Sequence, residues 1–139
     1  MCRSPMAEFV LKDMVERRGL ADRFHIESAA TTTDEIGNPV HPGTRRILAR
    51  EGISCEGKTA RQIAKADYDA FDVIIGMDDA NMRSMERRFG GDPAGKLHKM
   101  MEFAGTDRDV ADPWYTGDFE TTYDDVRAGC TGLMGWLGF

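Results

Sequence analysis

The sequence has little cysteine, no surplus of positive charge and no long apolar run. Three cysteines, Cys2, Cys55 and Cys130, occur in 139 residues. They are too few and too scattered for a disulfide framework or a zinc site. A reducing cytoplasm is the expectation, with Cys55 and Cys130 read as small core fillers. The three histidines, His25, His41 and His98, lack metal-ligand spacing, so neither a metal nor a cofactor is expected. Acidic residues outnumber basic ones by 24 to 18, a net charge of −6. That balance argues against nucleic acid or an anionic membrane as the main partner, and leaves room for one local basic pocket. No apolar stretch approaches the roughly 20 residues needed to cross a bilayer. The polar, charged opening shows no signal peptide. Repeats and low-complexity stretches are also missing. What is present is ordinary: 41% apolar residues over the length of one domain, 1–139, with one core.

Helical and strand patterns alternate along the chain. Ser4-Pro5 opens a helix, with Ser4 as its N-cap and Pro5 in the first turn. Met6, Phe9, Val10 and Met14 recur at helical spacing, and Gly19 ends the run. Phe24 to Ala30 reads as a strand with Phe24, Ile26 and Ser28 on one face. A loop covers Thr31 to Gly43, and a short helix covers Thr44 to Glu51. Phe71 to Met77 is the strongest strand, and its Val73-Ile74-Ile75 run predicts burial on both faces. Asp78 caps the next helix, whose stripe is Met82, Met85 and Phe89, ended by Gly90-Gly91. A further strand is expected within Lys96 to Phe103, then a loop over Val110 to Asp118. The last helix runs from about Phe119 to Leu137. Its Gly129, Gly132 and Gly135 each cost about 1 kcal/mol against Ala and predict close packing on the sheet. This order predicts an α/β fold, a small parallel sheet with helices on both faces. The opening on a helix is unusual for such a fold.

Three segments could carry chemistry. Cys2-Arg3-Ser4-Pro5 places a guanidinium fork beside a helix N-terminus, a pairing that suits an oxyanion; taken alone, it is equally a frayed, charged end. In Asp112-Pro113-Trp114-Tyr115 the proline holds Asp112 extended, two aromatics can wall a flat ring, and Asp112 can serve as a general acid. Alone, the same residues are a loop stapled to the core by its aromatics. The stretch from Glu27-Ser28-Ala29-Ala30 to Glu35-Ile36-Gly37-Asn38-Pro39 reads by itself as a strand end and a turn.

Taken together, CRSPMAE, ESAA, EIGNP, TARQI, DYDAFDVIIGMDDANM and DPWYTGDFETTYDDV occur in the order seen in the low-molecular-weight protein tyrosine phosphatases. The resemblance runs from Cys2 to about Cys130. It implies hydrolysis of a phosphotyrosine protein, or a small aryl phosphate, through a phosphocysteine. Arg3 matches the signature arginine that holds phosphoryl oxygens, and Ser4 the residue after it. Cys2 matches a second cysteine that many members carry just before that arginine, and shares in the phosphate loop. Asp112 matches the general acid, and Trp114 and Tyr115 one aromatic wall of the pocket. Asp34 stands where many members carry an aromatic on the opposite wall. Ser28 matches a serine that supports the phosphate loop.

The family signature is Cys-x5-Arg-[Ser/Thr], which puts the nucleophilic thiol five residues before Cys2. The sequence starts at Met1. The resemblance therefore implies a domain that is N-terminally incomplete, without the family's first strand and without the nucleophile. This polypeptide is then expected to show little or no phosphatase activity, and either to be poorly stable or to self-associate through the gap in its sheet. The alternative is a catalytically dead anion-binding or interaction module of the same fold. Arsenate reduction is disfavoured, because Cys55 and Cys130 form no close relay pair in sequence.

Overall fold

The computed structural model describes residues 2–139. Helix α1 spans Arg3–Arg17 and buries Met6 and Val10. It begins two residues earlier than expected. Cys2 occupies the cap without a side-chain hydrogen bond, and Ser4 lies inside the first turn, so Ser4 is not the cap. Pro5 costs nothing there, since the first amides of a helix have no partner in any case. Gly19, at φ 69°, closes the helix. Its N–H donates to the Glu16 carbonyl (3.0 Å) while Leu20 N–H reaches back to Val15 (2.8 Å), a paired C-terminal closure that needs left-handed backbone.

Helix α2 spans Pro42–Arg50, two residues ahead of the expected start, because Pro42 fits the first turn and His41 caps it. A short α3, Asp67–Ala70, follows. Strand β1 is Ile74–Gly76, and α4 is Asp79–Phe89, capped as expected by Asp78, which accepts from Asn81 N–H. Strand β2 is Leu97–Lys99. The chain then turns into a 3-10 helix over Met100–Ala104, so the strand expected within Lys96 to Phe103 stops at Lys99. A four-residue helix, α5 (Pro113–Thr116), interrupts the expected loop. Helix α6, Phe119–Trp136, is capped by Asp118.

The two strands pair in parallel, Ile74 with Leu97, Ile75 with His98 and Gly76 with Lys99. Successive side chains of β1 go to opposite faces. Ile74 joins Met85, Phe89 and Leu97 beneath α4. Ile75 packs against the larger cluster that contains Met6 and Val10 of α1, Leu48 of α2 and Val126 of α6. A small parallel sheet covered on both faces by helices is the fold the alternation predicts.

The segment 24–30 departs from expectation. From Phe24 to Ser28 its residues alternate between half-buried and exposed, with Phe24, Ile26 and Ser28 inward, so the strand-like face is real. Only Ala30 forms a bridge, to Gln62. The rest is extended chain with no ladder among the described residues, because pairing needs a second backbone within hydrogen-bond reach.

Candidate active site

The site gathers at the carboxyl end of β1 and β2, where ligands sit in parallel α/β sheets. β1 delivers Met77 and Asp78. The Val110 N–H donates to the Met77 carbonyl (2.9 Å), and this pins the segment before α5 to the strand end. The N-terminus of α1 arrives at the same point.

Arg3 is its hub. Nη1 donates to the Val110 carbonyl at 2.7 Å and pairs with Asp78 Oδ2 at 2.8 Å. Nη2 lies 3.6 Å from Asp112 Oδ2. Asp112 is placed by its own backbone. Pro113 holds it extended and Asp112 caps α5, its Oδ1 accepting from Trp114 N–H at 3.0 Å. The short contacts all fall on Nη1. The looser Nη2 edge is where an oxyanion can take hold with least disturbance, with the Asp112 carboxyl beside it.

Cys2 is buried, and the Thr44 hydroxyl donates to its carbonyl (3.0 Å). Burial pushes its thiol up, and the negative charges of Asp112 and Glu35 push the same way. A protonated, enclosed thiol is not an activated nucleophile. Ser4 is half-buried in α1, and its hydroxyl makes no hydrogen bond among the described residues. Trp114 and Tyr115 are 58% and 85% exposed, free to flank a ring. Asp34 is exposed in the turn over residues 34–37.

Ser28 acts one step away from Arg3. Its hydroxyl donates to Glu8 Oε1 at 2.5 Å. Glu8, in the second turn of α1, also binds Lys12 (2.6 Å) and Lys58 (2.9 Å), and Lys58 donates to the Ser28 carbonyl (3.1 Å). Ser28 therefore braces the helix that carries Arg3. On the opposite flank Lys99 Nζ joins Asp79 (3.0 Å) and Asp109 (2.7 Å). Its hydrogen bond holds the Asp109 carboxyl below the usual carboxylate range. No three His, Cys, Asp or Glu side chains converge as a metal site among the described residues.

Arg3 and Asp112 thus meet across 109 residues of chain, with Cys2 close enough to feel the charge of Asp112. Sequence reasoning missed Glu8, Lys58, Lys99 and the second role of Asp78. A cap motif signals the Asp78–Asn81 bond, but nothing local signals that its other oxygen meets Arg3.

A cationic fork at a helix N-terminus, an adjacent carboxyl and two exposed aromatics thus gather near the parallel-strand end of an α/β fold. The model of the low molecular weight phosphotyrosine protein phosphatases matches residues 1–138, and the chain belongs to that family. It is 39% identical to the low-molecular-weight protein-tyrosine-phosphatase YfkJ of Bacillus subtilis, over 96% of this chain and 87% of that protein. The YfkJ crystal structure superposes with a TM-score of 0.94 at 38% identity, covering 98% of this chain and 87% of YfkJ. The low molecular weight protein tyrosine phosphatase of Streptococcus pyogenes shares 42% identity with a TM-score of 0.86, covering 99% and 87%.

Proposed function

We propose that the chain carries the aryl-phosphate site of a protein tyrosine phosphatase. Arg3 holds the phosphoryl oxygens. Trp114 and Tyr115 flank the ring on one side, with Asp34 toward the other. Asp112 protonates the phenolate oxygen as the P–O bond breaks and an S–P bond forms at a cysteine thiolate. It then takes a proton from the water that attacks phosphocysteine. That thiolate belongs five residues before Cys2, and the 139 residues do not include it. A chain without that thiolate is expected to bind phosphate-like anions and not to turn over an ester. The approach of Arg3 and Asp112 at the start of α1 carries the reading.

Phosphate or vanadate titrated into the chain is expected to bind and to raise the melting temperature. Arg3→Ala removes both effects. Absence of binding in the unaltered chain sinks the proposal. Metal-free turnover of an aryl phosphate, lost in Arg3→Ala and Asp112→Asn, refutes the claim of inactivity. Adding the Cys-x5 segment upstream separates an enzyme from a dead anion-binding module: hydrolysis appears only for the first.

Two further readings belong here. The free thiols Cys2, Cys55 and Cys130 support residence in the cytoplasm. Among the described residues no strand pairs with the second edge of β1, and this supports self-association through strand pairing. Sedimentation as a monomer at high concentration counts against the latter.

A further inference from the structure

Trp114 is more than half exposed, and an indole so exposed keeps one orientation only if something grips it. Among the described residues its one ring partner is His41. The centroids lie 5.5 Å apart with planes at 78°, within the range of favourable edge-to-face pairs. His41 is itself held from two sides. Nδ1 accepts from Gly43 N–H at 3.0 Å, so the neutral ring carries its proton on Nε2. One face stacks on Phe119, 5.2 Å away at 19°. Phe119 can lie there because Gly43 has no side chain: a Cβ at that position would collide with the Phe119 ring.

These contacts span the acid loop. Trp114 sits in α5, two residues beyond Asp112. Phe119 opens α6, and only Gly117 and Asp118 separate the two helices. One imidazole at the N-cap of α2 therefore fastens the loop at both points. Capping alone does not call for histidine, since Asn, Asp or Ser satisfy a first-turn amide better. What the imidazole adds is a flat face for Phe119 and a ring partner for Trp114.

We infer that His41 is a positioning residue for the aromatic wall. It sets Trp114 against the ring of the ester, so it governs preference for aryl over non-aryl phosphates. The inference rests on the aryl-phosphate reading for its ligand and on ring geometry for its mechanism.

Two substitutions separate the two tasks of His41. His41→Asn keeps a capping group and loses the flat ring. His41→Phe keeps the ring and loses the cap. Both are made with Trp136→Phe, so that Trp114 is the sole tryptophan of the two in the chain. In His41→Asn, acrylamide quenching of Trp114 rises and its fluorescence anisotropy falls, while the melting temperature stays close to that of the parent. In His41→Phe, quenching and anisotropy stay near the parent values. By calorimetry, His41→Asn binds phenylphosphonate about three- to tenfold more weakly and inorganic phosphate equally well. Unchanged quenching in His41→Asn, or equal weakening for both ligands, overturns the inference. If the parent binds neither ligand, the aryl-phosphate reading fails, and quenching still decides whether His41 holds Trp114.

Discussion

Glu8 shows how a single side chain serves the site without touching it. It is 5% exposed, yet its carboxylate accepts from Lys12, Ser28 and Lys58. Burial by itself would push the carboxyl up, because it disfavours the charged form. The hydrogen bonds from Lys12, Ser28 and Lys58 outweigh burial and hold it below the usual range. A carboxyl depressed in the folded state contributes stability above its unfolded value, and that contribution is lost as pH falls through the folded value. Glu8→Gln should therefore destabilise the protein by about 2 kcal/mol at neutral pH. The difference from the unaltered chain should shrink as pH drops below about 4. Urea unfolding across that range measures it, and a pH-independent difference contradicts the charge argument. Cys130, by contrast, has only burial acting on it, which pushes its thiol up to about 12; it fills space between α6 and α1 and donates weakly to the Ala7 carbonyl.

Helix α6 needs two of its glycines and tolerates the third. The sequence predicts that all of them ease packing on the sheet. The surface they meet is instead the 3-10 helix Met100–Ala104. A Cβ on Gly129 would run into Met100, and one on Gly132 into the Phe103 carbonyl. That carbonyl is backbone and cannot rotate away. At Gly135 there is open space. Gly132→Ala should cost about 3 kcal/mol through overpacking, whereas Gly135→Ala should stabilise by about 0.5 kcal/mol through helix propensity. Thermal melts of the two variants give opposite signs. Equal behaviour would show that α6 does not seat on Met100–Ala104. The same helix start carries Phe119, so α6 also reaches the acid loop. Its seating is a condition for the site as well as for the core.

For the molecule as a whole, the open question is how far two three-residue strands organise 138 described residues. Most order comes from the helices. The amides of His25, Ile26, Glu27, Ser28 and Ala29 donate to no backbone carbonyl among the described residues, while Ala30 N–H reaches Arg61 at 2.7 Å. Hydrogen exchange should therefore run fast over 25–29 and slow at Ala30 and within α1 and α6. Slow exchange throughout 25–29 would reveal a pairing partner in solution. Much was readable beforehand. Asp78 and Gly90 marked helix ends, because caps and left-handed glycines act within a few residues. The Phe24–Ile26–Ser28 face was readable because alternation is a property of extended chain. The family motifs pointed to Arg3 and Asp112, which the fold brings within 3.6 Å of each other. Other features were not readable. Strand lengths depend on which backbone lies alongside, so Phe71–Met77 shrank to Ile74–Gly76 and Lys96–Phe103 to Leu97–Lys99. Local pattern likewise determined that Asp112 would be held extended by Pro113 and that a helix would open near Ser4-Pro5, whereas its start at Arg3 with Cys2 as the cap was not readable. Only tertiary structure decided that Arg3 meets Asp78 and Asp112 together, that Ser28 reaches the site through Glu8, and that His41 lies under Trp114. Each of those contacts joins residues far apart in the chain, and its geometry is set by the packing of α1, α2, α5 and β1 around one strand end.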